Sequence, residues 1–416
     1  MNDRLKKFII VFMIGFATTA MYSLPYMKSV FYDPMREALS LNHKQLGNLL
    51  SIYGIVATVS YFPGGWLADK YSAKKLVSFS LVSSGILGMW MAMAPSYSIL
   101  CMIFFLFGIT TILTYFAAII KVIRMLGDSS EQGRLFGLYE GFGGVAGTVL
   151  SFGGLYFFSK FENIVEGFKA ATIMYSVCSI VCGIILFIVI KEREVEKKEQ
   201  VKFTSLIQAV KMPKAWLISA IIFSAYMVFS SLTYLNPYMT EIFKMSMALV
   251  SFVAICRTYV IKFIASPLAG VIADKIGSST KCLFGGFILV TITQAVFLIT
   301  PGNPSLVYVA LVNMLVLTIL MFAFRGIYFA TVDESNIPIN VTGIVVGFVS
   351  VIGFLPDAFY YTLVGSWLDK YGNMAYKYVF SLSLACSILG IIASYTLLRI
   401  VSRERKEEII NYQHDL

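Results

Sequence analysis

The sequence predicts an all-α membrane protein, with twelve transmembrane helices in two pseudo-symmetric halves of six. Three observations carry this. Of the 416 residues 58% are hydrophobic and 13% are charged, the latter about half the share of an ordinary soluble domain. The apolar residues fall in long runs, close to the roughly 20 residues that a helix needs to cross a bilayer. A short motif recurs at residues 65–70 and 270–275, about half a chain length apart.

The runs place spans at 8–31, 45–67, 76–94, 98–123, 134–158, 168–190, 214–239, 247–272, 282–300, 305–331, 340–366 and 376–400. Breakers separate them, among them Asp33-Pro34, Ala94-Pro95-Ser96, Gly127-Asp128 and Pro301-Gly302-Asn303-Pro304. The first run, Phe8 to Phe31, is too long for the apolar region of a cleavable signal. The longest polar stretch begins at Lys191 and joins spans six and seven. It divides the chain into a first half (1–190), a linker (191–213) and a second half (214–416).

The net charge of +10 does not point to nucleic acid, because the basic residues lie between apolar runs and not on one soluble face. They favour the N-terminus, the linker (Lys191, Arg193, Lys197, Lys198, Lys202) and the C-terminus. By the positive-inside bias both termini are expected in the cytoplasm, in a multi-pass protein of the cell membrane, here an inner membrane. A monomer is expected. All six cysteines fall inside apolar runs, where packing accounts for them.

The repeat is Gly65-Trp66-Leu67-Ala68-Asp69-Lys70 at the end of span two and Gly270-Val271-Ile272-Ala273-Asp274-Lys275 at the end of span eight. A third version, Gly365-Ser366-Trp367-Leu368-Asp369-Lys370, ends span eleven, which runs the other way. Copies on opposite faces fit inverted three-span units nested inside each half.

With Lys74 and Lys75 added, the first copy resembles the signature between spans two and three of the major facilitator superfamily. That family usually has glycine where Ser72 stands and a basic residue where Ala73 stands; the second copy keeps the glycine, as Gly277. The resemblance implies the major facilitator fold, alternating access, and a cavity lined by spans one, four, seven and ten. It also implies that Asp69 and Asp274, with Gly65, Lys70, Lys74, Lys75, Gly270 and Lys275, gate the inner face. Each aspartate would sit against a helix N-terminus. Two further stretches, Lys121 to Gly147 and Arg325 to Asp357, resemble bacterial organic-anion permeases, a group that includes sugar-phosphate carriers. They suggest an anionic substrate.

Charges inside a bilayer are costly, so each is a candidate functional group. The spans hold Lys28, Lys121, Arg257, Lys262 and Arg325 against Glu140 and Asp357. An anion bound in a wet cavity would offset the excess. Arg257 is the central candidate, since a guanidinium grips carboxylate, phosphate or sulfonate with two prongs; an internal pair with Asp357 is the alternative. Lys262 lies about 140° further round an α-helix, in a second shell or a gate. Lys121 and Arg325 occupy corresponding places in the two halves, and by the resemblance each faces substrate; Lys121 snorkelling to the interface is the other reading. Glu140 either pairs with Lys121 or carries a coupling proton, as Asp357 could. Among nearby tyrosines Tyr26 and Tyr259 are candidate ligands. The glycines of span five read as packing.

No phosphate loop, dinucleotide fingerprint or metal-binding histidine pair is present, so neither cofactor nor metal is expected, nor an enzyme. The reading is a secondary active transporter of a small phosphorylated, sulfonated or carboxylated organic anion. It would run as a proton-coupled symporter or as an antiporter exchanging a counter-anion. The alternatives are an exporter of neutral metabolites or drugs and, from another class, a non-transporting membrane ligand sensor.

Overall fold

The computed structural model describes residues 3–126, 132–190, 210–335, 337 and 339–414. Most of the linker, residues 191–209, lies outside the described residues, as do the side chains of Asp69 and Glu140. Every regular element described is a helix. Eleven stretches are long and apolar enough to cross a membrane: α1 (Lys7–Ala38), α3 (Ala73–Ala92), α4 (Tyr97–Ile123), α5 (Gly141–Ser159), α6 (Ile164–Val189), α7 (Pro213–Glu241), α8 (Met247–Ile276), α9 (Ser279–Ile299), α10 (Pro304–Ile327), α11 (Val345–Tyr371) and α12 (Met374–Glu404). The remaining expected span is α2 (His43–Lys70), 28 residues long. At 1.5 Å per residue it rises about 42 Å. Asn48, Ser51, Thr58, Ser60 and three glycines lower its hydropathy.

The chain packs as two compact units. The first comprises Met1–Lys198, Asn236–Val260 and Asp357–Gly372; the second comprises Glu199–Leu235, Ile261–Pro356 and Asn373–Leu416. Within the first, α1 packs on α5, α2 on α4 and α3 on α6. Within the second the same pairs recur six spans later: α7 on α11, α8 on α10 and α9 on α12. Small residues set the closest approaches. A Cβ on Gly88 of α3 would lie 2.3 Å from Ser176 Oγ of α6, and one on Gly353 of α11 would lie 2.5 Å from Ile222 of α7.

Three irregularities position the functional residues. First, α1 is broken before Lys28: the helix Asp3–Ser23 stops at Pro25, which has no N–H to continue the ladder, and a second helix runs from Lys28 to Ala38. The expected break at Asp33-Pro34 is not where the chain turns. The backbone bends at Phe31 (φ −111°, ψ 49°) and Pro34 sits within the second helix, early enough in the new turn that its missing N–H costs little. Second and third, α4 and α8 each contain a π-helical stretch, Ile109–Phe116 and Cys256–Ile261. Such wide turns are frequent at functional sites. The carbonyl of Thr111, in the first, accepts the hydroxyl of Tyr22 at 3.0 Å.

Candidate functional site

The first unit brings together most of the span charges. Lys28, at the start of the second helix of α1, is 1% exposed. Its ammonium has no hydrogen-bond acceptor among the described residues; it sits over the ring of Tyr361, 2.8 Å from the centroid. Asp357 is the carboxylate whose charge acts on it. Arg257, in the π-helical stretch of α8, is 2% exposed. Its Nη2 donates to Asn236 Oδ1 of α7 at 3.2 Å, and Asn236 Nδ2 donates to the carbonyl of Ser29 at 3.0 Å. One neutral amide therefore ties the guanidinium to the residue beside Lys28. Because Arg257 lies in a wide turn, the 3.6-residue phasing behind the 140° separation from Lys262 does not hold there.

The other candidates lie apart from this pair. Tyr26 stacks edge-on against Tyr53 at 5.3 Å. Tyr259 lays its ring on Gly147 of α5, where a Cβ would come within 2.3 Å of the ring. Lys121 donates to the carbonyl of Ala68 at 2.8 Å, near the C-terminal end of α2, where a cation is favoured by the dipole. In the second unit Lys262 is half-buried, and Arg325 is exposed with its guanidinium 4.5 Å above the ring of Phe229.

The signature residues are spread over exposed turns. Lys70 lies over Trp66 at 4.8 Å and Lys74 over Phe187 at 4.7 Å. The Lys75 N–H donates to Ser72 Oγ. Asp274 and Lys275 are exposed, and a Cβ on Gly65 or Gly270 would meet nothing within 4 Å. The contact expected of Asp69 and Asp274 occurs instead at Asp369, in the third copy. Its Oδ1 accepts the His43 N–H at 3.0 Å and its Oδ2 the Lys44 N–H at 2.8 Å. Asn42 and Gln45 form a reciprocal capping box beside it. Asp369 and Asn42 together satisfy the N–H groups of residues 43, 44 and 45, which no α-helix can pair internally.

Sequence reasoning missed this end of the first unit. There α2 lies almost backbone to backbone on residues 357–372. A Cβ on Gly47 would stand 2.1 Å from the Tyr361 carbonyl oxygen, one on Gly54 2.5 Å from that of Asp357, and one on Gly365 2.3 Å from that of His43. Asn236 also escaped notice, although an Asn-Pro pair inside an apolar run is itself a signal.

Residues 8–359 match the Major Facilitator Superfamily, and the chain belongs to it: it is a multi-pass membrane transporter. Inner membrane protein YihN of Escherichia coli (strain K12) is 33% identical over 411 residues, which cover 97% of this chain and 98% of that protein. A shorter match, 28% identical over 75 residues, covers 18% of this chain and 16% of the probable galactarate/D-glucarate transporter GudP of Bacillus subtilis (strain 168). Among solved structures, a bacterial homolog of the human lysosomal transporter Spinster, in an inward-facing and occupied conformation, aligns with a TM-score of 0.70 at 15% identity over 96% of each chain. That likeness concerns the fold alone.

Proposed function

We propose that the chain moves a small organic anion, phosphorylated, sulfonated or carboxylated, by alternating access, as a proton-coupled symporter or an anion exchanger. The observation that carries this reading is the pair of buried cations in the first unit. Lys28 has an aromatic face and a carboxylate beside it but no acceptor for its protons, and Arg257 is held by a neutral amide. A buried cation is stabilised by an anion that supplies several oxygens. The short match to a carrier named for two sugar diacids supports the same chemistry.

In this reading an entering anion competes with Asp357 for Lys28 and draws Arg257 from Asn236. Asp357, with Glu140, is the candidate proton or ion-pair site. Lys121 and Arg325 stay as candidate contacts from α4 and α10, with Tyr26, Tyr259 and Lys262 around them, and the two signature turns as gates. The basic linker and both termini are assigned to the cytoplasm of an inner membrane on the positive-inside bias.

The test is ligand-induced stabilisation of the purified protein by D-glucarate, a hexose phosphate and an alkanesulfonate, with a neutral nucleoside as control. One anion class should stabilise the protein. Arg257→Ala should weaken it roughly tenfold to hundredfold, as loss of a charge-assisted contact does. Arg257→Lys should fall between. Lys28→Met, made with Asp357→Asn so that no carboxylate is left alone, should also lose the anion. Stabilisation by the nucleoside alone, with normal behaviour of folded Arg257→Ala, would overturn the reading.

A further inference from the structure

The contact between α2 and residues 357–372 carries a titratable group that the anion site does not use. His43 is the first residue of α2, and its side chain is 12% exposed. Its backbone N–H is one of the two held by Asp369. The ring joins two further elements: Nδ1 is 2.9 Å from the hydroxyl of Tyr32 in α1, and Nε2 is 3.4 Å from Glu241 Oε1 at the end of α7. The Tyr32 ring also stacks on the imidazole, 5.8 Å between centroids. One residue thus touches α1, α7 and α11 at the point where they meet α2.

The charges around it are mixed. From α1 come Asp33, whose Oδ2 accepts from Thr240 Oγ1 at 2.7 Å, and Arg36, 3.9 Å from Asp33 Oδ1. From α7 comes Glu241, from α11 Asp369 and Lys370, and from α2 itself Lys44. Three carboxylates converge on this corner.

We propose that His43 is a proton-operated lock on this end of the transporter, resting on the alternating-access reading. A neutral imidazole has one N–H, so it donates to Tyr32 or to Glu241 but not to both. The imidazolium donates to both and forms an ion pair with Glu241 as well. Once the corner opens, these partners leave. The locked form therefore gains more from the proton than the open form, and by linkage acid favours the lock while alkali releases it. The sign is diagnostic. Protonation of Asp369 or Glu241 at still lower pH removes the acceptors of the same contacts and loosens the corner. Tightening as pH falls through the range where imidazoles ordinarily titrate, about 6.5, is the mark of the histidine.

The experiment measures distance between spin labels at Lys44→Cys and Lys370→Cys, both exposed positions, in the full chain with native cysteines replaced, reconstituted in lipid nanodiscs. Spectra are taken at pH 8.5 and pH 5.5, with and without D-glucarate. The ratio of short to long distances should rise roughly two- to fivefold in acid, the effect of a partly exposed ion pair. His43→Gln keeps a polar side chain but no titration, and should show one ratio at both pH values. Glu241→Gln, at a partly exposed position, should lose most of the response while keeping His43. Two populations whose ratio responds to pH equally in the parent and in His43→Gln would overturn the lock alone. A single distance under every condition would overturn the lock together with alternating access.

Discussion

Asp369 is the residue where one substitution should speak most clearly. Its carboxylate accepts two backbone N–H groups, at 3.0 and 2.8 Å, from the first turn of α2. Hydrogen bonds to a charged acceptor contribute about 1.5–3 kcal/mol, and an anion at a helix N-terminus about 0.3–1 kcal/mol more. Water replaces part of this when the corner opens, so about 2 kcal/mol is a fair net figure for Asp369→Ala. At 1.4 kcal/mol per decade, that moves the equilibrium between closed and open corner roughly thirtyfold. Asp369→Asn keeps a neutral acceptor and loses about 1 kcal/mol, roughly fivefold. Ser51 offers the readout: it is 6% exposed, and its Oγ accepts from Thr362 at 2.9 Å inside the same contact. A cysteine at position 51, in a background without native cysteines, should react with a polar maleimide only when the corner opens. Its labelling rate should climb in the order parent, Asp369→Asn, Asp369→Ala. Equal rates in all three, with the protein folded, would refute the idea that this cap holds the corner shut.

Other expectations follow from the same geometry. Gly54→Ala drives a methyl group against the Asp357 carbonyl oxygen, backbone that yields poorly; a cost of about 1–3 kcal/mol should open the corner and raise labelling at position 51, and an unchanged rate would count against the close packing. Asn236→Asp gives Arg257 a permanent carboxylate, so anion affinity should fall roughly tenfold, further than in Asn236→Ala; the reverse order in titration calorimetry would remove Asn236 as the holder of that guanidinium. In the second unit Glu334 accepts from the Ser278 hydroxyl and from the Thr280 N–H and hydroxyl, at 2.9 and 2.8 Å. Glu334→Gln should therefore lower stability by about 1–2 kcal/mol, seen as an earlier thermal transition, and an unshifted transition would show that cap to be idle.

The helices were legible because apolar runs of bilayer length are a statement about solvent, and solvent sets this fold. The doubled motif at Gly65 and Gly270 correctly announced the superfamily. What it did not announce was which copy would hold a helix end. Asp69, Asp274 and Asp369 look alike in one dimension, and only the turn each meets in space tells them apart. The charges of α1 and α8 were visible as anomalies. Their partners were not, since Asn236 lies some twenty residues before Arg257 in another helix, and Tyr361 is one tyrosine among 24. Gly47, Gly54 and Gly365 carry no periodic signal, for what they accommodate is a backbone hundreds of residues away. His43 was set aside because a lone histidine at a span edge reads as a solvated one.

The wide turn in α4 bears on how the chain tolerates length changes. Over Ile109–Phe116 the backbone pairs i with i+5, so this stretch holds one residue more than an α-helix would need. Removing a residue here would let the ladder re-form as regular α-helix, with little loss of hydrogen bonding. It would also swing Ala117–Ile123 by about 100° about the helix axis relative to Phe104 and Phe107, and carry Lys121 away from the Ala68 carbonyl. A helix that survives deletion while its lysine changes direction would be intact by circular dichroism and altered only in what that lysine can reach.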